Sequence, residues 1–135
     1  MLEYAKMLKD GIGIKEYKSE AAKYFKLATE QGDIESIFNY AVMCNLGIGI
    51  EMNKEEAAKY FKKGAEQGHI ASTIQYANIL KNGDGIDENK NEAAMLYKQA
   101  ADLGDSDSMM NYANMLKEGD GIDMNKKEAE KILQE

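Results

Sequence analysis

The sequence predicts an all-α solenoid, a stack of antiparallel helix pairs sharing one continuous core, and three observations carry that prediction. Tyr4, Tyr40, Tyr76 and Tyr112 recur at a fixed step of 36 residues, as do Ala5, Ala41, Ala77 and Ala113. Two glycine series keep the same step, Gly11, Gly47, Gly83 and Gly119 and then Gly13, Gly49, Gly85 and Gly121, with Ile14, Ile50, Ile86 and Ile122 directly behind. Between the glycines, apolar residues return at helical spacing. A constant period in this range marks units that bury their apolar faces only by stacking on their neighbours.

Taken in order, the chain divides into repeat one (1–34), repeat two (35–70), repeat three (71–106) and repeat four (107–135). Met1 is in the register of Ile37, so repeat one lacks the start of its first helix, and that helix is expected as a stub ending near Lys9. Gly11-Ile12-Gly13 then stops it, because glycine just past a helix supplies a left-handed conformation. A second helix is expected from about Lys18 to Glu30, with Ala21, Tyr24, Phe25 and Ala28 at i, i+3, i+4 and i+7 forming one buried stripe.

Repeat two carries a complete helix start. Asn53 precedes Lys54-Glu55-Glu56, so its side chain can accept from the Glu56 amide while the carboxylate reaches back, a capping box. Asn89 with Glu92 and Asn125 with Glu128 repeat the arrangement. Tyr17 stands at the cap position ahead of Glu20, and a lost cap costs about 1 kcal/mol, so more fraying is expected there. The turns between repeats are Gln31-Gly32-Asp33, Gln67-Gly68-His69 and Leu103-Gly104-Asp105. Asp33 and Asp105 suit the next helix N-terminus, where free amides and the dipole favour a carboxylate. His69 reads as a substituted cap or an exposed turn residue. Glu135 is in the register of Gln99, so repeat four also stops short, and Leu2, Met7, Ile132 and Leu133 are expected at partly open ends. Those ends imply either a longer array or stacking on another copy.

Composition narrows the function. The 135 residues carry a net charge of −7 with no arginine, proline or tryptophan. Arginine is the usual bidentate reader of phosphate, so nucleic acid and anionic membrane surfaces are poor partners for this chain. No apolar run reaches the ~18 residues of a membrane span. Cys44 is the single cysteine; no intrachain disulfide can form, and a cytoplasmic setting is the default expectation.

The order Y-A-x-M-L-x-x-G-x-G-I-x-x-N-K-x-E-A-A-x-x-Y, followed by A-x-x-G, resembles the Sel-one-like repeat, a relative of the tetratricopeptide repeat, over the whole chain. The family generally has leucine-glycine where this chain has Tyr40-Ala41. The resemblance implies a right-handed superhelix of helix pairs, first helices lining a concave groove, and adaptor roles in signalling, protein quality control and host contact. Some bacterial members are cysteine-rich, with paired disulfides, and are described as penicillin-binding or β-lactamase-like; this chain lacks those cysteines.

If the resemblance holds, one face of the first helices lines the groove: Asn39 and Val42, with Asn45 or Leu46, in repeat two, Gln75, Asn78 and Asn82 in repeat three, and Asn111, Asn114 and Glu118 in repeat four. In repeat one the matching positions are Glu3, Lys6 and Asp10. A ladder of amides offers donors and acceptors to the main chain of an extended peptide. Acidity accumulates along the chain, from six lysines against six acids in 1–34 to four against seven in 107–135. That gradient would steer a basic segment toward Asp84, Asp87, Asp120 and Asp123.

No cofactor or metal is expected. The loops Gly83-Asp84-Gly85-Ile86-Asp87 and Gly119-Asp120-Gly121-Ile122-Asp123 lack the alternating ligands and closing glutamate of a calcium loop, and the G-x-G pairs lack the third glycine of a dinucleotide loop. Cys44 falls in the leucine series Leu8, Leu80, Leu116, and Met7, Met43, Ile79 and Met115 form another core series. The repeated tyrosines are expected to pack between neighbouring units. No nucleophile, base and orienting group come together. The chain therefore reads as a non-catalytic scaffold binding a protein or peptide segment. Two alternatives stand beside it: a homo-oligomer assembled through the solenoid ends, and an enzyme or enzyme fragment of hydrolase type, which the lone His69 and core-like Cys44 argue against.

Overall fold

A computed structural model describes residues 15–119. The stub helix and its Gly11-Ile12-Gly13 stop, the residues Glu3, Lys6 and Asp10, the Asn125 cap, the aspartates Asp120 and Asp123 and the expected open ends lie outside those residues. The chain divides into two units, Met1–His69 and Ile70–Glu135.

In the first unit α1 is Lys15–Glu30, α2 Ile34–Leu46 and α3 Lys54–Glu66. Helix α2 packs against both of the others. In the second unit α4 is Ile70–Asn82, α5 Lys90–Asp102 and α6 Ser106–Glu118, with α5 packed against α4 and α6. The described residues contain these six helices and no strand, an all-α repeat fold.

The expected stripes form the cores. Ala21, Phe25 and Ala28 on α1 are buried and Tyr24 is half-buried. The Glu-Ala-Ala starts of the second helices put Ala21 and Ala22, Ala57 and Ala58, and Ala93 and Ala94 against their neighbours at no more than 2 % exposure. Side chains this small let helix axes approach closely. One turn later the larger Phe25, Phe61 and Tyr97 fill the space, each buried. Ile37, Ala41, Met43 and Cys44 on α2 are fully buried, and Ile79, Met115 and Leu116 lie in the same layer of their repeats.

Helix α1 already includes Lys15, three residues ahead of the expected Lys18. Its Tyr17 stands where the other second helices have a cap. Asn53 and Asn89 stop their helices because they are extended, at φ −145° with ψ 95° and 86°, and each accepts from the amide three residues on at 3.0 Å. Tyr17 offers no such acceptor and is itself helical. A second correction concerns the capping box. The backbone amides of Asn53 and Asn89 donate to Cys44 O and Leu80 O, both at 2.8 Å, so the carboxylates have nothing to reach back for. Glu92 instead accepts from the Asn89 side-chain amide at 3.4 Å. The cap thus ties each second helix to the carbonyl of the first.

Asp33 and Asp105 cap α2 and α6, accepting from Ser36 N and Ser108 N at 2.9 Å. The buried hydroxyls of Ser36 and Ser108 donate to the same carboxylates, a partner that spacing alone did not reveal. His69, at the matching position, is half-buried with its ring edge-on to Phe38, centroids 5.3 Å apart, and Phe38 in turn meets Phe61 at 5.7 Å. It is therefore a packing residue as well as a turn residue.

The two glycines of the repeat-two pair do different work. Gly47 ends α2 at φ 71°, with its amide and that of Ile48 donating to Met43 O. Gly49, at φ 75°, lies against the backbone of α1, where an added Cβ would sit 2.2 Å from Lys18 O. The first stops a helix. The second lets one loop rest on the backbone of the preceding repeat.

Candidate functional site

The predicted face is distributed over three first helices. Asn39 and Val42 lie one turn apart on α2, Gln75, Asn78 and Asn82 follow i, i+3, i+7 spacing on α4, and Asn111, Asn114 and Glu118 do the same on α6. Each set shares one face of its helix. Burial separates them. Asn82, Asn114 and Glu118 are exposed, and Asn39, Val42, Gln75, Asn78 and Asn111 are half-buried.

Hydrogen bonding separates them further. Asn39 Nδ2 donates to Glu35 O at 2.8 Å, one turn back in its own helix. Asn78 Oδ1 accepts from the hydroxyl of Tyr97, which is 1 % exposed. A buried phenol requires an acceptor, and repeat three supplies it from the first helix. The matching pair in repeat two, Val42 and Phe61, has neither group. Asn78 is therefore committed in part to the fold, and the polar groups that face water are Asn82, Asn114 and Glu118. Asn45, on the edge of the same face, accepts from Lys54 Nζ at 3.4 Å.

A polar cluster that spacing did not reveal sits in the first unit. The Tyr40 ring meets Tyr60 edge-on at 5.1 Å and 86°. Its hydroxyl lies beside Cys44, Tyr60 lies beside Thr29, and Thr29 Oγ1 donates to Lys26 O at 2.6 Å. No buried side-chain polar atom lacks a partner among the described residues. Burial pushes the Tyr40, Tyr60 and Tyr97 phenols and the Cys44 thiol above their ordinary values.

These buried protons make stability depend on pH. The unfolded chain releases its thiol proton above about 8.5 and its phenol protons above about 10, whereas the folded chain holds them. Folded protein then binds more protons, so stability falls as pH rises past those values, by up to about 1.4 kcal/mol per pH unit for each such group. Urea midpoints should be level from neutrality to pH of about 8 and decline beyond it, with phenolate absorbance rising together with unfolding. Cys44 should likewise react with a thiol reagent only as fast as the protein opens, so stopped labelling in buffer and rapid labelling in urea is the expected pair of results.

Among the described residues no group of three or more His, Cys, Asp or Glu side chains could hold a metal ion, and no helix is long and apolar enough to cross a membrane. The arrangement offers helix faces with exposed amides and a carboxylate.

Comparison with known proteins agrees with this architecture. The chain is similar to a Sel1 repeat protein from Oxalobacter formigenes, with a TM-score of 0.89 and 26% identity over 97% of this chain and 54% of that one. It is also similar to a protective antigen of uropathogenic Escherichia coli strains that displays an SLR fold, with a TM-score of 0.91 and 26% identity over 98% of this chain. The chain spans 28% of that antigen. Helicobacter pylori cysteine rich protein B shares the fold at a TM-score of 0.66 and 22% identity, over 92% of this chain and 89% of that one. No curated protein is significantly similar to the chain. The Sel1 repeat pattern matches residues 1–33, 34–69, 71–105 and 106–135. Sel1 repeats generally act as scaffolds for protein interaction, and with four of them along its length this chain belongs to the Sel1 repeat family.

Proposed function

We propose that the chain is a non-catalytic scaffold that binds an extended peptide or protein segment on the polar faces of its first helices. The observation that carries the reading is the exposure of Asn82, Asn114 and Glu118 on the same face of α4 and α6 as the half-buried Gln75 and Asn111. Amides so placed can pair with a peptide main chain, and Glu118 adds charge. Residues 70–135 hold seven lysines against thirteen acids, so a segment with basic residues is the partner favoured electrostatically.

The test is affinity capture with the full chain, comparing parent and an Asn82→Ala/Asn114→Ala variant. Asn78 is left intact because its loss would strip the Tyr97 hydroxyl of its acceptor. Loss of the parent's partners with an unchanged melting temperature is expected. Retention of the same partners would remove this face from the function.

A further inference from the structure

One position of the second helices reads Phe25, Phe61, Tyr97 and Leu133 along the four repeats, and a single hydroxyl is among them. The residues 19 places earlier are Lys6, Val42, Asn78 and Asn114, so a hydroxyl and an amide come opposite one another in repeat three alone. Tyr97 is 1 % exposed and donates to Asn78 Oδ1. Among the described residues that is the one hydrogen bond either side chain makes. Its direction is fixed by burial, which keeps the phenol protonated. With Nδ2 turned toward it, the buried O–H would have no acceptor. The carboxamide is planar, so holding Oδ1 on Tyr97 turns both Nδ2 hydrogens away from it. Asn78 is half-buried, and no buried side-chain polar atom among the described residues lacks a partner; Nδ2 therefore opens onto the first-helix face. The other asparagines differ. Asn39 Nδ2 already donates to Glu35 O, whereas Asn82 and Asn114 are exposed and can turn either group outward.

We propose that Tyr97 is a positioning residue, which makes Asn78 a donor-only group that receives a main-chain carbonyl of a basic peptide segment lying along α4. The inference rests on the first-helix reading above and names the ligand group that one point of the face selects. An N–H pair held in place takes an acceptor and refuses another donor. The fold has already met the cost of orienting it. A basic peptide brings both groups this unit calls for, carbonyls for Asn78 and ammonium groups for the thirteen acids that residues 70–135 set against seven lysines.

The probe is the acetylated, amidated peptide Lys-Val-Lys-Val-Lys, titrated into the nitrogen-15-labelled full chain while the side-chain amide signals of Asn78, Asn82 and Asn114 are followed. Saturable shifts of all three are expected. Asn78→Asp keeps an acceptor for Tyr97 and adds a charge that attracts the peptide, yet it should bind about fivefold more weakly because the donor is gone. Tyr97→Phe frees the amide to turn and should weaken binding about threefold. Asn78→Val/Tyr97→Phe installs the residues that repeat two has at these positions, Val42 and Phe61. It should melt with the parent and bind as weakly as the aspartate variant, whereas a purely structural hydrogen bond would leave its affinity at the parent value. Parental affinity in the folded double variant or in Asn78→Asp would overturn the role of Tyr97 and leave the face standing. Absence of saturable shifts at Asn82 and Asn114 in the parent would overturn the face, and this inference with it.

Discussion

Gly49→Ala should cost about 3 kcal/mol, although it adds a single methyl group. Two penalties coincide at this residue. At φ 75° an L side chain is strained, by about 1 kcal/mol or more, and the new Cβ would lie 2.2 Å from Lys18 O and 2.8 Å from Ser19 N. Those neighbours are helix backbone and cannot swing aside. The first unit would have to lift its loop from α1 or bend the helix. Gly32→Ala provides the comparison, since Gly32 has φ 83° and a Cβ added there would meet nothing within 4 Å. It should lose only the conformational share, about 1 kcal/mol. Urea unfolding of the two variants side by side checks this: equal losses would mean that the close approach contributes nothing.

Phe61→Ala should cost about 4 kcal/mol, the upper range for emptying a well-packed core. Phe61 is 1 % exposed on α3, and its ring stands edge-on to Phe38 of α2. Removing it leaves a void between the two helices and withdraws one wall from the Phe38 and His69 stack. Phe61→Leu should restore roughly half of the loss by refilling volume without the ring. The measurement is again equilibrium unfolding, and a cost under about 1 kcal/mol for the alanine variant would contradict a tightly packed helix pair.

The helices were legible in the sequence because their signals are local. Glycine stops, Asn and Asp caps and an apolar stripe occupy fixed distances along the chain, so the end of α1 and the starts of α3 and α5 fall where spacing puts them. That α1 continues through Tyr17 to Lys15 was not legible, since a missing cap does not say how far a helix extends. The partners of caps were hidden too. Cys44 O and Leu80 O lie across the loop from the amides they receive, and only the folded pair shows that they displace the carboxylate of the capping box. For the candidate face, periodicity identified which residues share a side of a helix. It could not separate Asn78, bound to Tyr97, from Asn82 and Asn114, which stand in water, because that depends on what the second helix places opposite.

The contact between Gly49 and Lys18 has a consequence for how such a chain can grow. The Lys18 carbonyl that receives the glycine belongs to the main chain, which every residue type provides. A joint of this kind holds no record of which side chains lie on either side. A duplicated repeat can therefore be seated on an existing one without co-adapted substitutions at that point, provided it carries its second glycine. Lengthening the array by gene duplication then asks for one small residue, and the outward side chains are left free to diverge.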